Sequence, residues 1–88
     1  MKIFKYQTRI TDKCFVMMPV TAKILKIGSQ EPNFLTVWAL VDETEFPTQQ
    51  YVFTIYGTGH PVEHTSADNY IDSIFDGQFV WHVFRGKE

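Results

Sequence analysis

The sequence lacks the features that mark secreted and membrane proteins. Cys14 is the only cysteine among 88 residues, so no disulfide forms within the chain and the thiol spacing of a structural zinc site is missing. No apolar run approaches the ~20 residues of a membrane span, and residues 1–6 contain no unbroken apolar stretch that would act as a secretion signal. We therefore expect a protein of a reducing cytoplasm with no membrane partner.

Positive charge is also scarce. Eight Lys and Arg residues stand against ten Asp and Glu, for a net charge of −2, and this balance gives no electrostatic case for duplex nucleic acid as a partner. No linker rich in Ser, Gly or Pro divides the chain, so we expect one domain over residues 1–88. The aromatic fraction of 16% is generous for so small a protein. It favours an exposed aromatic interface and a homo-oligomer.

Alternating patterns predict β-strands along the chain. Lys2–Arg9 alternates with period two, as a half-buried strand at or near a sheet edge does. Phe34–Val41 is apolar on both alternating sets apart from one threonine, which predicts a central strand. Residues 51–56 form another alternating run. The pair Asp76 and Gly77, set between two such runs, predicts a tight hairpin.

Turn-forming residues predict how the earlier strands connect. A turn is expected to join the first strand to residues 14–18 in an opening hairpin. Residues 22–27 and Phe34–Val41 flank a segment dense in turn formers, which predicts a second hairpin. A third hairpin is expected where residues 51–56 follow the acidic loop.

The fold class follows from the number of strands. At most one short helical turn is expected, at residues 65–69, where Ser or Thr would cap it. Turn signals recur about every ten residues, and we count about six to seven short strands. We therefore predict an all-β domain built as a small rolled antiparallel sheet, a barrel or a compact sandwich.

The most distinctive segment is the loop that follows the alternating run, and it contains Tyr56, Gly57, Thr58, Gly59, His60 and Pro61. Glycines that adopt positive φ could turn successive backbone amides toward one anion, with Tyr56 and His60 as flanking donors. The competing interpretation is a tight connection that only reverses the chain. The pattern is not a P-loop, because no Lys-Ser or Lys-Thr pair follows, and it opens no long helix as a dinucleotide fingerprint does.

The histidines of this region raise the question of a metal site. His60 and His64 are four residues apart beside Glu63, and this spacing brings two imidazoles together on a helix. Pro61 disfavours helical geometry at His60, so we expect no metal site. Further ligands that could have completed such a site are His82, Cys14 and Asp68.

No catalytic signature is visible. Cys14 could pair with a histidine, or His60 with Asp68 or Asp72, as nucleophile and base, but no elbow or motif supports either pair. Cys14 lies in an apolar run, where a thiol usually behaves as an inert small hydrophobe. His82 lies among aromatic neighbours and is expected to be hydrogen-bonded and partly buried. We expect no enzyme and no cofactor.

Exposed aromatic side chains offer another kind of binding, the stacking of single-stranded bases. The candidates for such stacking are Phe4, Tyr6, Trp38, Tyr51 and Trp81. Because the eight basic residues are scattered along the sequence, core packing explains these aromatics better.

Several blocks together resemble a known group of sequences. They are residues 1–6 (MKIFKY), 18–19 with 22–25, 38–42, 55–61 (IYGTGHP) and 82–84. In this combination the chain resembles small uncharacterised proteins encoded in phage and prophage genomes and in bacteria. The resemblance implies a phage setting, with the host-cell cytoplasm as the location, and carries no established activity.

The phage setting suggests a hypothesis for function. We expect a non-catalytic accessory protein that counters host defence by sequestering a small anionic, nucleotide-like ligand. The expected site residues are Tyr56, Gly57, Thr58, Gly59, His60 and Trp38. Tyr56 or Trp38 would stack on the base while Lys or Arg screens the phosphate. The alternative is a protein interaction module that binds a host or phage protein, with the Gly57–Pro61 loop purely structural.

Overall fold

A computed structural model describes residues 1–42, 47–62 and 70–86 of the chain. The described residues form seven β-strands, which are β1 (Lys2–Arg9), β2 (Lys13–Pro19), β3 (Lys23–Gly28), β4 (Phe34–Val41), β5 (Thr48–Gly57), β6 (Tyr70–Asp76) and β7 (Phe79–Arg85). Their number agrees with the sequence prediction. The helical turn expected at residues 65–69 lies outside the described residues. Within the described ranges no helix could cross a membrane.

The strands form two antiparallel sheets packed as a sandwich. The three-stranded sheet has the order β1-β4-β3, and the four-stranded sheet has the order β2-β5-β7-β6. The sheets also meet along their sides, where β1 lies beside β2 and β3 beside β6. The predicted all-β class is therefore confirmed, and the compact sandwich is the architecture.

The core fills the space between the two sheets. Strand β2 shows the pattern, since Cys14, Val16 and Met18 are buried while Phe15 and Met17 between them are exposed. Alternation of this kind places one side of each strand against the opposite sheet. The buried core side chains are Cys14, Val16, Met18, Ile27, Leu35, Val37, Ala39, Val41, Tyr51, Phe53, Ile55, Ile74 and Val83. Burying each large side chain contributes about 1.5–3 kcal/mol.

Two of the predicted hairpins are present. Strands β3 and β4 pair as expected, and β4 lies between β1 and β3, which confirms its central position and the edge position of β1. Strands β6 and β7 form the last hairpin around Gly77 and Gln78. Only Gly77 has positive φ there, at 60°, which matches the first central position of a type II′ turn. Asp76 is thus the last residue of β6, and Gly77 and Gln78 are the two central residues of the turn.

The predicted opening hairpin is wrong. Strand β1 pairs with β4, and β2 pairs with β5 in the other sheet. The connection has no residue with positive φ, which the favoured two-residue hairpin loops need. Instead Ile10 packs against the core and its N–H donates to the Asn33 carbonyl at 2.8 Å, so the chain crosses from one sheet to the other.

The third predicted hairpin is also wrong. Strand β5 pairs with β2 and with β7, and β4 belongs to the other sheet. Strand β7 lies between β5 and β6, so β5 is not hydrogen-bonded to the strand that follows it. Both faces of β5 are buried from Tyr51 to Ile55, although the opposite sheet covers only one of them.

Candidate functional site

The Gly57–Pro61 loop begins as a β-turn at the end of β5. Gly57 is the last strand residue and pairs with Trp81 of β7. The His60 N–H donates to the Gly57 carbonyl at 3.1 Å, and Gly59 between them has φ of 88°. A positive φ at the third residue is typical of a type II turn, which favours glycine. The His60 amide is therefore used inside the turn, so successive amides do not all face one point.

Gly57 lies where two side chains approach the backbone closely. A Cβ at this position would lie 2.9 Å from His60 Nδ1 and 3.4 Å from Trp81 Cζ3. The bare backbone thus lets the imidazole lie beside the indole. The two glycines have different roles, since Gly59 supplies a backbone conformation and Gly57 supplies space.

This arrangement borders a cleft of about 390 Å³. The described residues that line it are Gly57, Thr58, His60, Gln78, Phe79, Val80 and Trp81. Phe79 and Trp81 stack with ring centroids 5.6 Å apart and an angle of 23° between the rings. The volume lies within the ~300–1,000 Å³ range of small-molecule pockets. The cleft therefore has an aromatic side formed by β7 and a turn beside it.

Polar groups in the cleft are few and mostly neutral. Thr58, His60 and Gln78 supply a hydroxyl, an imidazole and an amide. None of the described lining residues is Lys, Arg, Asp or Glu, so His60 is the one side chain among them that can carry charge. Such a lining suits a planar group with hydrogen-bonding edges more than it suits a multiply charged phosphate.

A chain of hydrogen bonds links one cleft residue to β6. Thr58 Oγ1 lies 2.8 Å from His82 Nε2, and Ser73 Oγ lies 2.8 Å from His82 Nδ1. The Tyr70 hydroxyl extends the chain to Ser73 Oγ at 2.5 Å. Both imidazole nitrogens thus contact hydroxyls, which can either donate or accept. The expectation of a partly buried, hydrogen-bonded His82 is confirmed.

Two of the expected site residues lie away from the cleft. The Tyr56 side chain is directed to the opposite face of the strand from Gly57, and its ring packs edge-on against Phe84 at 5.6 Å. Trp38 belongs to β4 of the three-stranded sheet. The structure therefore brings together Gly57, Thr58 and His60, with Gly59 in the same turn, and leaves Tyr56 and Trp38 outside that group.

Sequence reasoning missed the residues of β7 and its turn that complete the cleft, namely Gln78, Phe79, Val80 and Trp81. The sequence indicated Trp81 only as a candidate for stacking on single-stranded bases. The cleft arises because β5 pairs with β7, which places Gly57 opposite Trp81. No local signal gives that pairing, because β6 separates the two strands along the chain.

Cys14 has a structural environment. Its thiol is buried and donates to the Arg9 carbonyl at 3.2 Å, and the Thr11 N–H donates to Cys14 Sγ at 3.4 Å. These contacts hold the connection between β1 and β2. Among the described residues no three His, Cys, Asp or Glu side chains are grouped as metal ligands would be. The candidates Glu63, His64 and Asp68 lie outside the described residues.

The fold and the cleft define a small β-sandwich domain with an aromatic cleft beside a glycine turn. The chain belongs to a family described as Domain of unknown function (DUF7352), whose model matches residues 1–88. Comparison with curated proteins and with solved structures gave no match. Membership of an uncharacterised family is thus confirmed, while the phage setting stays a prediction.

Proposed function

We propose that this protein is a non-catalytic binding module that takes the planar part of a small, nucleotide-like ligand into the cleft. The stacked pair Phe79 and Trp81, placed beside His60 at the Gly57 turn, is the observation that carries this proposal. A base could lie against the aromatic side while its polar edge meets the Thr58 or Gln78 side chain. Stacking of a base on an aromatic side chain contributes about 1–3 kcal/mol.

The anionic part of such a ligand would extend out of the cleft. The described lining residues include no Lys or Arg, so His60 is the group there that could face a negative charge. A ligand with one phosphate near His60 fits this arrangement better than one with a triphosphate chain. We therefore expect the affinity for nucleosides and singly charged nucleotides to equal or exceed the affinity for more highly charged nucleotides.

The proposed role is sequestration and not turnover. The described cleft residues include no carboxylate, thiol or lysine, and the proposal assigns the Thr58 hydroxyl and the His60 imidazole to binding the ligand. If the chain acts in a phage-infected cell, as its resemblance implies, removal of a signalling nucleotide from the host cytoplasm would counter a defence response.

Thermal unfolding with a panel of cyclic and linear nucleotides and nucleosides tests the proposal. A ligand at 100 times its Kd adds about 2.7 kcal/mol to the free energy of unfolding. The expected result is a clear rise in Tm for at least one member, with that ligand recovered unchanged by chromatography. If no member shifts Tm, the proposal is wrong, and recovery of a modified ligand would overturn the non-catalytic part.

The β6–β7 hairpin offers a matched pair of variants for this test. Phe79 and Phe75 are both exposed, at 52% and 72%, and lie on either side of the same turn. Phe79 lines the cleft and stacks on Trp81, whereas Phe75 pairs with Val80 at a neighbouring position that alternates to the other face. Phe79→Ala should remove the ligand-dependent rise in Tm, and Phe75→Ala should keep it. Equal effects of the two variants would place the ligand elsewhere.

A second candidate function is protein binding through the outer side of the four-stranded sheet, which we call the apolar face. Phe15, Met17, Tyr70 and Phe75 define it, with exposed fractions of 51%, 56%, 43% and 72%. Exposed apolar side chains grouped on one face are typical of an interface. A second copy of this chain is the first partner to test, and a host or phage protein is the alternative.

A further inference from the structure

The outer side of the three-stranded sheet gathers residues that are far apart in the sequence. Strand pairing places Lys5 of β1 and Lys26 of β3 on either side of Trp38 in β4. Arg9 lies opposite Phe34 at the end of the same face, and Lys23 lies opposite Leu40 at the other end. We call this surface the basic face and define it by Lys5, Arg9, Lys23, Lys26, Phe34 and Trp38.

The basic face carries a positive charge that is not apparent from the net charge of the whole sequence. Four of the eight basic residues lie on it, and the described positions that the pairing directs to this side include no Asp or Glu. The rest of the chain then holds four basic residues against ten acidic ones. A net charge of −2 therefore coexists with a surface that attracts polyanions.

Trp38 lies at the centre of this charge. A Cβ at Gly28 would stand 3.4 Å from Trp38 Cζ3, an ordinary contact distance, so the indole lies directly beside Gly28 of β3. The indole is half-buried, with part of its surface open on the outer side of the sheet. Strands in a sheet are about 4.8 Å apart, which puts the backbones of Lys5 and Lys26 about 10 Å from each other across it.

Arg9 and Lys5 of the basic face also lie where they could contact an anion that carries planar rings. The Arg9 guanidinium carbon lies 5.7 Å from the centroid of the Phe34 ring. The Lys5 ammonium donates to the Gln30 side-chain oxygen at 3.0 Å, which is a neutral acceptor, so its positive charge is not cancelled by this contact. Positive charges thus flank two aromatic rings on one sheet surface.

We propose that the basic face binds single-stranded nucleic acid. Bases would stack on Trp38 and Phe34, and Lys5, Arg9 and Lys26 would contact the phosphates. A single strand fits better than a duplex, because stacking needs bases that are already free of a partner strand. Reading a duplex groove also needs a protruding helix or ribbon, which a sheet surface does not offer. This site is separate from the cleft and does not depend on the proposed ligand.

Fluorescence anisotropy with a labelled mixed-sequence 16-nucleotide DNA, its RNA equivalent and the matching duplex tests this proposal. We expect both single strands to bind more tightly than the duplex at low salt. Affinity should fall with rising salt, with a slope of about −0.7 for each phosphate contacted. Lack of any single-strand binding at low salt would overturn the proposal, as would tighter binding of the duplex.

Variants locate the surface. Trp38→Leu should weaken single-strand binding about 5- to 150-fold, the range that corresponds to loss of one stacked base. Lys5→Gln combined with Lys26→Gln should reduce the salt slope by about 1.4, and it remains informative if Trp38→Leu fails to fold. Lys13→Gln is the control, since Lys13 is an exposed strand lysine of the other sheet. The proposal is wrong if this control weakens binding as much as the double variant does.

Discussion

The Asp76 carboxylate accepts a hydrogen bond from the Asn33 backbone N–H at 3.0 Å. Asp76 ends β6 in the four-stranded sheet, and Asn33 precedes β4 in the three-stranded sheet, so this bond joins the two layers. Asn33 has φ of 71°, and Asp76 is only 7% exposed. A buried carboxylate thus holds a residue in a left-handed conformation that asparagine tolerates better than most side chains do.

We predict that Asp76→Ala lowers the free energy of unfolding by about 1–3 kcal/mol, because the Asn33 N–H loses its acceptor. Asp76→Asn keeps an acceptor oxygen and should cost less. Urea denaturation followed by tryptophan fluorescence measures both. The interpretation fails if Asp76→Asn destabilises the protein as much as Asp76→Ala does.

The two glycines of the cleft turn should respond differently to substitution. Gly59→Ala is predicted to cost about 1–2 kcal/mol of stability, because Gly59 has φ of 88°. Gly59→Asn should cost less, since asparagine is tolerated at this turn position. Gly57→Ala should cost little stability, because the new Cβ displaces the exposed His60 ring, and should instead weaken ligand binding. Denaturant titration measures the loss of stability, and the nucleotide thermal shift measures the loss of binding. Equal stability losses for Gly57→Ala and Gly59→Ala would contradict the different roles assigned to the two glycines.

The sequence predicts the strands well because their patterns are local. The alternation of Lys2–Arg9 and the apolar character of Phe34–Val41 report how many faces each strand buries, and both positions in the sheet are confirmed. Such local patterns do not predict which distant strands pair with each other. The expected hairpin of β1 with β2 is wrong, because Ile10 enters the core and the chain changes sheet.

The same limit explains what was missed in the candidate site. Glycine content singled out Gly57 and Gly59, but Phe79 and Trp81 reach the turn only because β5 pairs with β7. Likewise, the scattered lysines hid the basic face, since Lys5 and Lys26 meet at Trp38 through two separate strand pairings. The net charge of the chain therefore does not reveal that basic residues are grouped on one surface of the folded protein.

The apolar face predicts self-association. Phe15→Glu together with Phe75→Glu should convert an oligomer into a monomer, because two charges would enter the interface that these exposed rings define. Size-exclusion chromatography with light scattering at micromolar concentration measures the change. Leu25→Glu is the control, since Leu25 is 47% exposed on β3 of the other sheet. A wild-type protein that is already monomeric would exclude the self-association and leave a different protein as the partner.

The hydrogen bonds of His82 are predicted to differ in strength. The bond to Ser73 is partly buried, whereas the bond to Thr58 is exposed, although both are 2.8 Å long. Water competes less for the partly buried bond, and an average hydrogen bond contributes about 0.5–1.5 kcal/mol. Double-mutant cycles that combine His82→Phe with Ser73→Ala or Thr58→Val should give a coupling energy near the top of this range for Ser73 and near the bottom for Thr58. The opposite order would show that Thr58, at the edge of the cleft, is the residue that fixes the imidazole.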